Sequence, residues 1–182
     1  SFHRTQWRYC RAWPHWRFYG TWPAQTLEKG KAPKTGQILV FDDSTTYAVR
    51  RQRPYALYAD DNDNEPVFEK RRLLPKNPPL WSVKIAVRPL AMVKAGETLF
   101  LAGPPDTFPE DDTYAAFHGR LGGSLLAFST KGGEKLAEYK LDDPPVFDGM
   151  AAAEARLYIS TQGGMLLCFE GEEDGQENQE GL

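Results

Sequence analysis

Few residues in this chain have the types and spacing that chemistry requires. The run Asp60-Asp61-Asn62-Asp63-Asn64-Glu65 brings clustered carboxylates and amides into one short loop. These are hard oxygen donors of the kind Ca²⁺ takes, and Asp60, Asp61, Asp63 and Glu65 would be its ligands. The run lacks the glycine and terminal glutamate spacing of an EF-hand, and a solvated loop has the same composition. Asp106, Glu110, Asp111 and Asp112 form a second acidic cluster with the same two readings. A third group is aromatic and basic: Trp7, Arg8, Trp13, Trp16, Arg17 and Trp22. Aromatic faces and guanidinium forks could stack sugars or bases and hold anions. Packing or a subunit contact explains them better, because tryptophans cover large areas and arginine lays its stem across them. The histidines His3, His15 and His118 show no metal-ligand spacing, and no nucleophile–base pair stands out. The catalytic set is therefore empty at this level.

Cysteine is scarce: Cys10 and Cys168 lie near opposite ends of the chain, without the spacing of a zinc or haem site. Alternation with Leu167 makes Cys168 a small core residue of a strand.

The elements that would position these groups are β-strands. A phrase of glycine, any residue, two aliphatics, any residue and phenylalanine occurs three times, at Gly36–Phe41, Gly123–Phe128 and Gly164–Phe169. Upstream of the last two copies lies a second matched block, Met92 to Leu99 and Met150 to Leu157. A repeated strand with a turn glycine marks an array. Further strands are expected at Thr45–Arg50, pairing with the first copy around Asp42-Asp43-Ser44, and at 66–70, 80–87, 90–94, 99–102, 135–141, 145–153 and 156–160. Residues 103–121 interrupt the second repeat as an insertion. Three regions follow: an aromatic, basic and irregular segment at 1–30, β-repeats at 31–171, and an acidic disordered tail at 172–182.

At 182 residues, 41% hydrophobic and 26% charged, the chain can bury a real core. A formal net charge of -3 gives no reason to expect a nucleic-acid partner. No apolar run approaches the roughly 18 residues of a membrane span. The chain opens on Ser1 without a signal peptide and reads as a processed product or the ordered portion of something longer.

Residues 122–139, Gly-Gly-Ser-Leu-Leu-Ala-Phe-Ser-Thr-Lys-Gly-Gly-Glu-Lys-Leu-Ala-Glu-Tyr, resemble the repeats of PQQ-like (quinoprotein-type) β-propellers. In that family an Ala-x-Asp-x-x-Thr-Gly-x-x-x-Trp motif joins the third and fourth strands of each blade. Here the motif alanine is Ala127 and the glycine Gly133, while Ser129, Gly132 and Ala137 stand where Asp, Thr and Trp are usual. The segment Pro144 to Gly164 looks like the first three strands of a following blade. The good match covers residues 80–170, and the segment Trp7 to Asp42 and the run Leu99 to Asp106 also look similar to C-terminal halves of large bacterial envelope proteins of this class.

The resemblance implies an all-β fold of four-stranded antiparallel blades, a partial propeller of about three to four. It implies that the motif Trp stacks on the neighbouring blade, so Ala137 marks a weaker junction. It implies a periplasmic or extracellular location. Quinoprotein dehydrogenases of this class hold PQQ between a Trp floor and adjacent cysteines, with Ca²⁺ on Glu, Asn and Asp; adjacent cysteines do not occur here. Propellers need 4–8 blades, so another polypeptide is expected to complete this one. The expected function is a non-catalytic protein-interaction scaffold. The alternatives are a quinoprotein-type oxidoreductase or accessory subunit of a redox complex, and a glycan-binding module using Trp7, Trp13, Trp16 and Trp22.

Overall fold

The computed structural model describes residues 5–10, 13–19, 34–36, 38–50, 54–64, 67–69, 72–74 and 77–171, with side chains at 38–50, 54–64 and 77–171. The regular elements among them are all β-strands, so no described helix is long and apolar enough to cross a membrane. The tail beyond 171 lies outside the described residues.

The first three strands, β1 (Thr5–Cys10), β2 (Trp13–Tyr19) and β3 (Lys34–Gly36), form a sheet in the order β2-β1-β3. Within the aromatic segment, which could hold short strands or an irregular stretch, β1 and β2 pair antiparallel, with Thr5 opposite Tyr19 and Arg8 opposite Trp16. Aromatic residues favour strands. Pro14 is tolerated because β2 is an edge strand and the register shifts between Arg8 and Cys10.

Three larger sheets follow. Sheet I contains β4 (Leu39–Phe41), β5 (Thr45–Arg50), β6 (Ala56–Asp61) and β9 (Trp81–Lys84), in that order. The hairpin of β7 (Val67–Glu69) and β8 (Arg72–Leu74) stands between its last two strands in the chain. Sheet II is the meander β10 (Ala91–Ala95), β11 (Thr98–Gly103), β12 (Gly123–Ser129) and β13 (Lys135–Leu141). Sheet III is β14 (Pro145–Ala153), β15 (Arg156–Thr161) and β16 (Leu166–Glu170). All pairings are antiparallel and none of these sheets closes on itself. Strand β10 lies beside both β4 and β14, so the three sheets meet along their first strands.

Two of the three sequence repeats coincide in register. Met92, Leu101 and Leu126 line up across sheet II as Met150, Ile159 and Leu167 do across sheet III. Leu99 faces Phe128, and Leu157 faces Phe169. The first copy departs from the pattern: Leu39–Phe41 is the first strand of its sheet, whereas the other copies are third strands. The phrase encodes a strand with a buried face after a turn; it carries nothing about which strands flank it.

Sheet II is the centre of the packing. Leu99, Leu101, Leu126 and Phe128 enter a core shared with Ile38, Tyr47, Val49, Leu57, Ile85 and Val87 of the sheet I side. The alternate residues Phe100, Ala102 and Leu125 enter a second core with Leu157, Ile159, Leu167 and Phe169 of sheet III. Burial on both faces explains why β11 and β12 are nearly continuous apolar runs. Each fully buried leucine here would cost about 2–5 kcal/mol if cut to alanine, against about 0–1 kcal/mol for an exposed ion pair such as Lys131–Glu97.

One side chain locks sheet I to sheet II. The Trp81 indole on β9 lies in ring contact with Tyr47 at 6.0 Å, and its Nε1–H donates to the Thr130 carbonyl at 2.9 Å. A Cβ at Gly133 would sit 2.5 Å from the indole, and Gly133 has φ of 72°. Only glycine lets the β12–β13 turn pass under this ring. We predict that Gly133→Ala lowers stability by about 2–4 kcal/mol, combining left-handed strain with overpacking. Trp81→Phe, which keeps a ring but removes the donor, should lose about 1 kcal/mol plus the missing ring area. Denaturant unfolding of the two variants measures both.

The β14–β15 turn offers the opposite change. Glu154 and Ala155 hold φ of 51° and 59°, a conformation that two-residue hairpins normally give to Asn-Gly. The double substitution Glu154→Asn with Ala155→Gly relieves that strain. We expect a gain of roughly 1 kcal/mol, or about 2–4 °C in thermal midpoint, by calorimetry.

Candidate interaction surface

The most unusual surface of the described residues is the outer face of sheet III. Its positions can be assigned by matching it to sheet II. Phe100, Ala102, Leu125 and Ala127 of sheet II correspond to Tyr158, Ser160, Leu166 and Cys168 of sheet III. In sheet II the first three lie in the core against sheet III. In sheet III no described element covers their counterparts. Leu166 is 66% exposed and its neighbour Met165 61% exposed. Tyr158 faces Cys168 across the strands, and Ser160 faces Leu166.

An ion pair closes this row at one end: Arg156 Nε donates to Glu170 Oε1. The hydrogen bond to Glu170, with a smaller contribution from Tyr158, holds the guanidinium above its ordinary value. Both partners are exposed, so the pair orders the turn end more than it stabilises the fold.

Cys168 corrects an expectation. It is a free, exposed thiol and not a core residue. Alternation along β16 turns Leu167 and Phe169 toward sheet II and leaves Leu166, Cys168 and Glu170 on the side that nothing described covers.

Between sheets II and III a cleft of about 910 Å³ opens at the β10–β11 and β14–β15 end. Phe100, Leu125, Tyr139, Leu157 and Phe169 line it, with Lys94 at its lip. The Tyr139 and Phe169 rings stand 6.3 Å apart. Ala137, half-buried opposite Ala127, supplies no ring to fill this junction. The I–II junction has Trp81; the II–III junction has a wedge.

The acidic loop is built differently from a ligand cage. Asp60, Asn62 and Asn64 are buried, while Asp61 and Asp63 are exposed. Asn64 Nδ2 donates to Asp60 Oδ1 at 2.7 Å and to the Asn77 carbonyl at 3.1 Å, and the Asn77 N–H donates to Asn64 Oδ1 at 3.1 Å. Asn62 Nδ2 donates to the Asp42 carbonyl at 2.8 Å, and Thr46 Oγ1 donates to Asn62 Oδ1 at 2.6 Å. The amides, which a search for carboxylates passes over, tie the loop to the β4–β5 hairpin and to residue 77. Glu65 lies outside the described residues. Among those described, no three His, Cys, Asp or Glu side chains converge on a metal-sized point.

The tryptophan and arginine residues of the aromatic segment are paired by backbone register, Trp7 with Arg17 and Arg8 with Trp16, while Trp13 faces Cys10. Trp22 lies outside the described residues. The insertion between β11 and β12 presents Phe108, Tyr114 and Phe117 to solvent. His118 packs edge-on to Tyr114 and Phe117, and the Arg88 guanidinium sits 4.8 Å from the Phe117 ring centre. Asp112 of the second acidic cluster is bound by Arg120. The ring contacts of His118 with Tyr114 and Phe117 are packing contacts.

No family model matches the chain, and no curated protein sequence matches it. Among solved structures, the computationally designed Ika4 protein aligns with a TM-score of 0.47 and 8% identity, covering 72% of this chain and 63% of that one. The computationally designed Ika8 protein aligns with a TM-score of 0.46 and 7% identity, covering 72% of this chain and 32% of the other. The chain thus spans less than two-thirds of either designed chain.

Asp42 gives the β4–β5 hairpin a pH response. Burial raises its carboxyl, but hydrogen bonds from the Ser44 and Thr45 amides and from Lys94 outweigh that and leave it below its ordinary 3.8. A lowered folded-state value stabilises above the unfolded pKa and is lost as pH falls through the folded one. We therefore expect Asp42→Asn to be less stable than the parent at neutral pH, with the difference shrinking below pH 3.8. Urea midpoints measured across roughly pH 2.5–7 check this.

Proposed function

We propose that this chain is part of a PQQ-like β-propeller and serves as a non-catalytic protein-interaction scaffold, completed by another polypeptide in the periplasm or outside the cell. One observation carries the reading: the positions that sheet II buries against its neighbour recur on sheet III with no described neighbour over them. On this face Leu166 and Cys168 are exposed and Tyr158 is half-buried, and exposed apolar groups sharing a face favour an interaction surface. The Trp81 contact adds support for the blade reading. It lies over Gly133, the glycine of the resembled motif, and comes from the last strand of the adjacent sheet.

Nothing among the described residues assembles the ligands of a quinone held with Ca²⁺: Cys168 is a free thiol on an outer strand, and the described acidic groups do not converge. The open face requires no such chemistry, since apolar burial alone would drive association.

Native mass spectrometry of purified material tests the proposal. The parent protein should carry a second polypeptide, and Tyr158→Arg with Leu166→Asp should release it while thermal midpoint and strand content stay unchanged. A parent protein that is a stable lone monomer at micromolar concentration would overturn the scaffold reading.

A further inference from the structure

We infer that β16 takes its fourth strand from a separate polypeptide by antiparallel strand addition. This inference rests on the scaffold reading above and names how the partner engages.

The repeat supplies the first argument. Strand β12 is paired along its outer side by β13, from Gly123 opposite Leu141 to Phe128 opposite Lys135. Strand β16 matches β12 residue for residue, yet among the described residues no strand pairs with its outer side. An open strand edge offers a row of unsatisfied N–H and C=O groups.

The second argument is the chemistry of the edges. Strands that end a sheet usually carry lysine or proline to block further pairing. Here β13 carries Lys135, Glu138 and Lys140, β9 carries Lys84, and β2 carries Pro14. Strand β16 reads Leu166-Leu167-Cys168-Phe169-Glu170, with neither safeguard. Its sequence is that of an interior strand.

The third argument is the composition of residues 172–182, directly after β16. Residues 172–182 read Glu-Glu-Asp-Gly-Gln-Glu-Asn-Gln-Glu-Gly-Leu, with one apolar side chain, Leu182. A strand playing the part of β13 needs more. Through the matched register, the residue opposite Leu166 corresponds to Tyr139, and the residue opposite Cys168 corresponds to Ala137. The incoming segment is therefore extended, with an aromatic or large aliphatic residue opposite Leu166 and a small residue opposite Cys168. Main-chain hydrogen bonds give such a contact its affinity, and alternate side chains give it register.

Cys168 makes the register measurable. The probe is a peptide copy of residues 134–141 with cysteine at the Ala137 position, its thiol held as a 2-thiopyridyl disulfide. Attack by the Cys168 thiolate on the peptide sulfur forms the new disulfide and releases 2-thiopyridone, which is read at its absorbance band. Mass mapping separates Cys168 from Cys10. Directly opposite residues in an antiparallel pair lie within disulfide reach. Trapping should be at least ten-fold faster than for the same peptide with its cysteine at the Leu136 position. Equal rates for the two peptides would overturn the proposed register and, with it, strand addition.

Hydrogen exchange on the native complex gives the second readout. The β16 amides should exchange at least ten-fold more slowly when the partner is bound. A partner that shields Tyr158 and Leu166 but leaves β16 exchanging freely would defeat strand addition and leave the scaffold reading standing. Protection that rises with protein concentration in the absence of a partner would assign the edge to a second copy of this chain, against a separate polypeptide. A native protein with no partner would sink the scaffold reading and, with it, the separate polypeptide, even where β16 still traps the peptide in register.

Discussion

Burial of sheet II on both faces is the constraint that organises this molecule. Strand β11 sends Leu99 and Leu101 to one core and Phe100 and Ala102 to the other, and β12 divides its side chains in the same way. Because strand side chains alternate with a period of two, slipping either strand by one residue would exchange the two cores. Registers on both sides are therefore set together. Sheets I and III owe their positions to the same alternation, read from opposite faces.

The two junctions that sheet II makes are unequal, and the inequality has an identifiable cause. Toward sheet I, the Trp81 ring covers Gly133 and its N–H is satisfied by the Thr130 carbonyl, so a large aromatic side chain is placed without a stranded donor. Toward sheet III, the corresponding place on β13 holds Ala137, and a cleft remains beside Tyr139 and Phe169. Sheet III is thus held by Leu157, Ile159, Leu167 and Phe169 packing against Phe100, Ala102 and Leu125, and among the described residues one of its faces is covered. Polar groups follow the same division of labour. Buried amides of Asn62 and Asn64 secure the loop under sheet I, whereas the ion pairs Arg156–Glu170 and Lys135–Glu138 are exposed and contribute little.

Much of the strand list could be read from the chain. Alternation of Trp81, Val83, Ile85 and Val87 marks β9 and the bridge that follows it, and the Met92 and Met150 blocks announce two sheets of common design. Other assignments depended on what lies across the strand. Cys168 and Leu167 are neighbours of similar apolar character, and nothing local says which of them meets sheet II. The first repeat phrase, Gly36–Phe41, looks like the other two, yet its strand opens a sheet where theirs stand third. In the acidic run the carboxylates draw attention while the asparagines do the structural tying, because an amide can donate and accept at once.

What the sequence determined by itself is therefore local: the strands, their turn glycines, the kinship of sheets II and III, and the scarcity of apolar side chains in 172–182. Those features depend on side-chain period and backbone freedom, both carried within a few residues. Only the tertiary structure decided which described faces are covered, that Trp81 bridges sheets I and II where Ala137 leaves a cleft, and that no described strand lies along the outer side of β16. Burial is a relation between segments distant in the chain, and a strand's composition records that it has an apolar face without recording what lies against it.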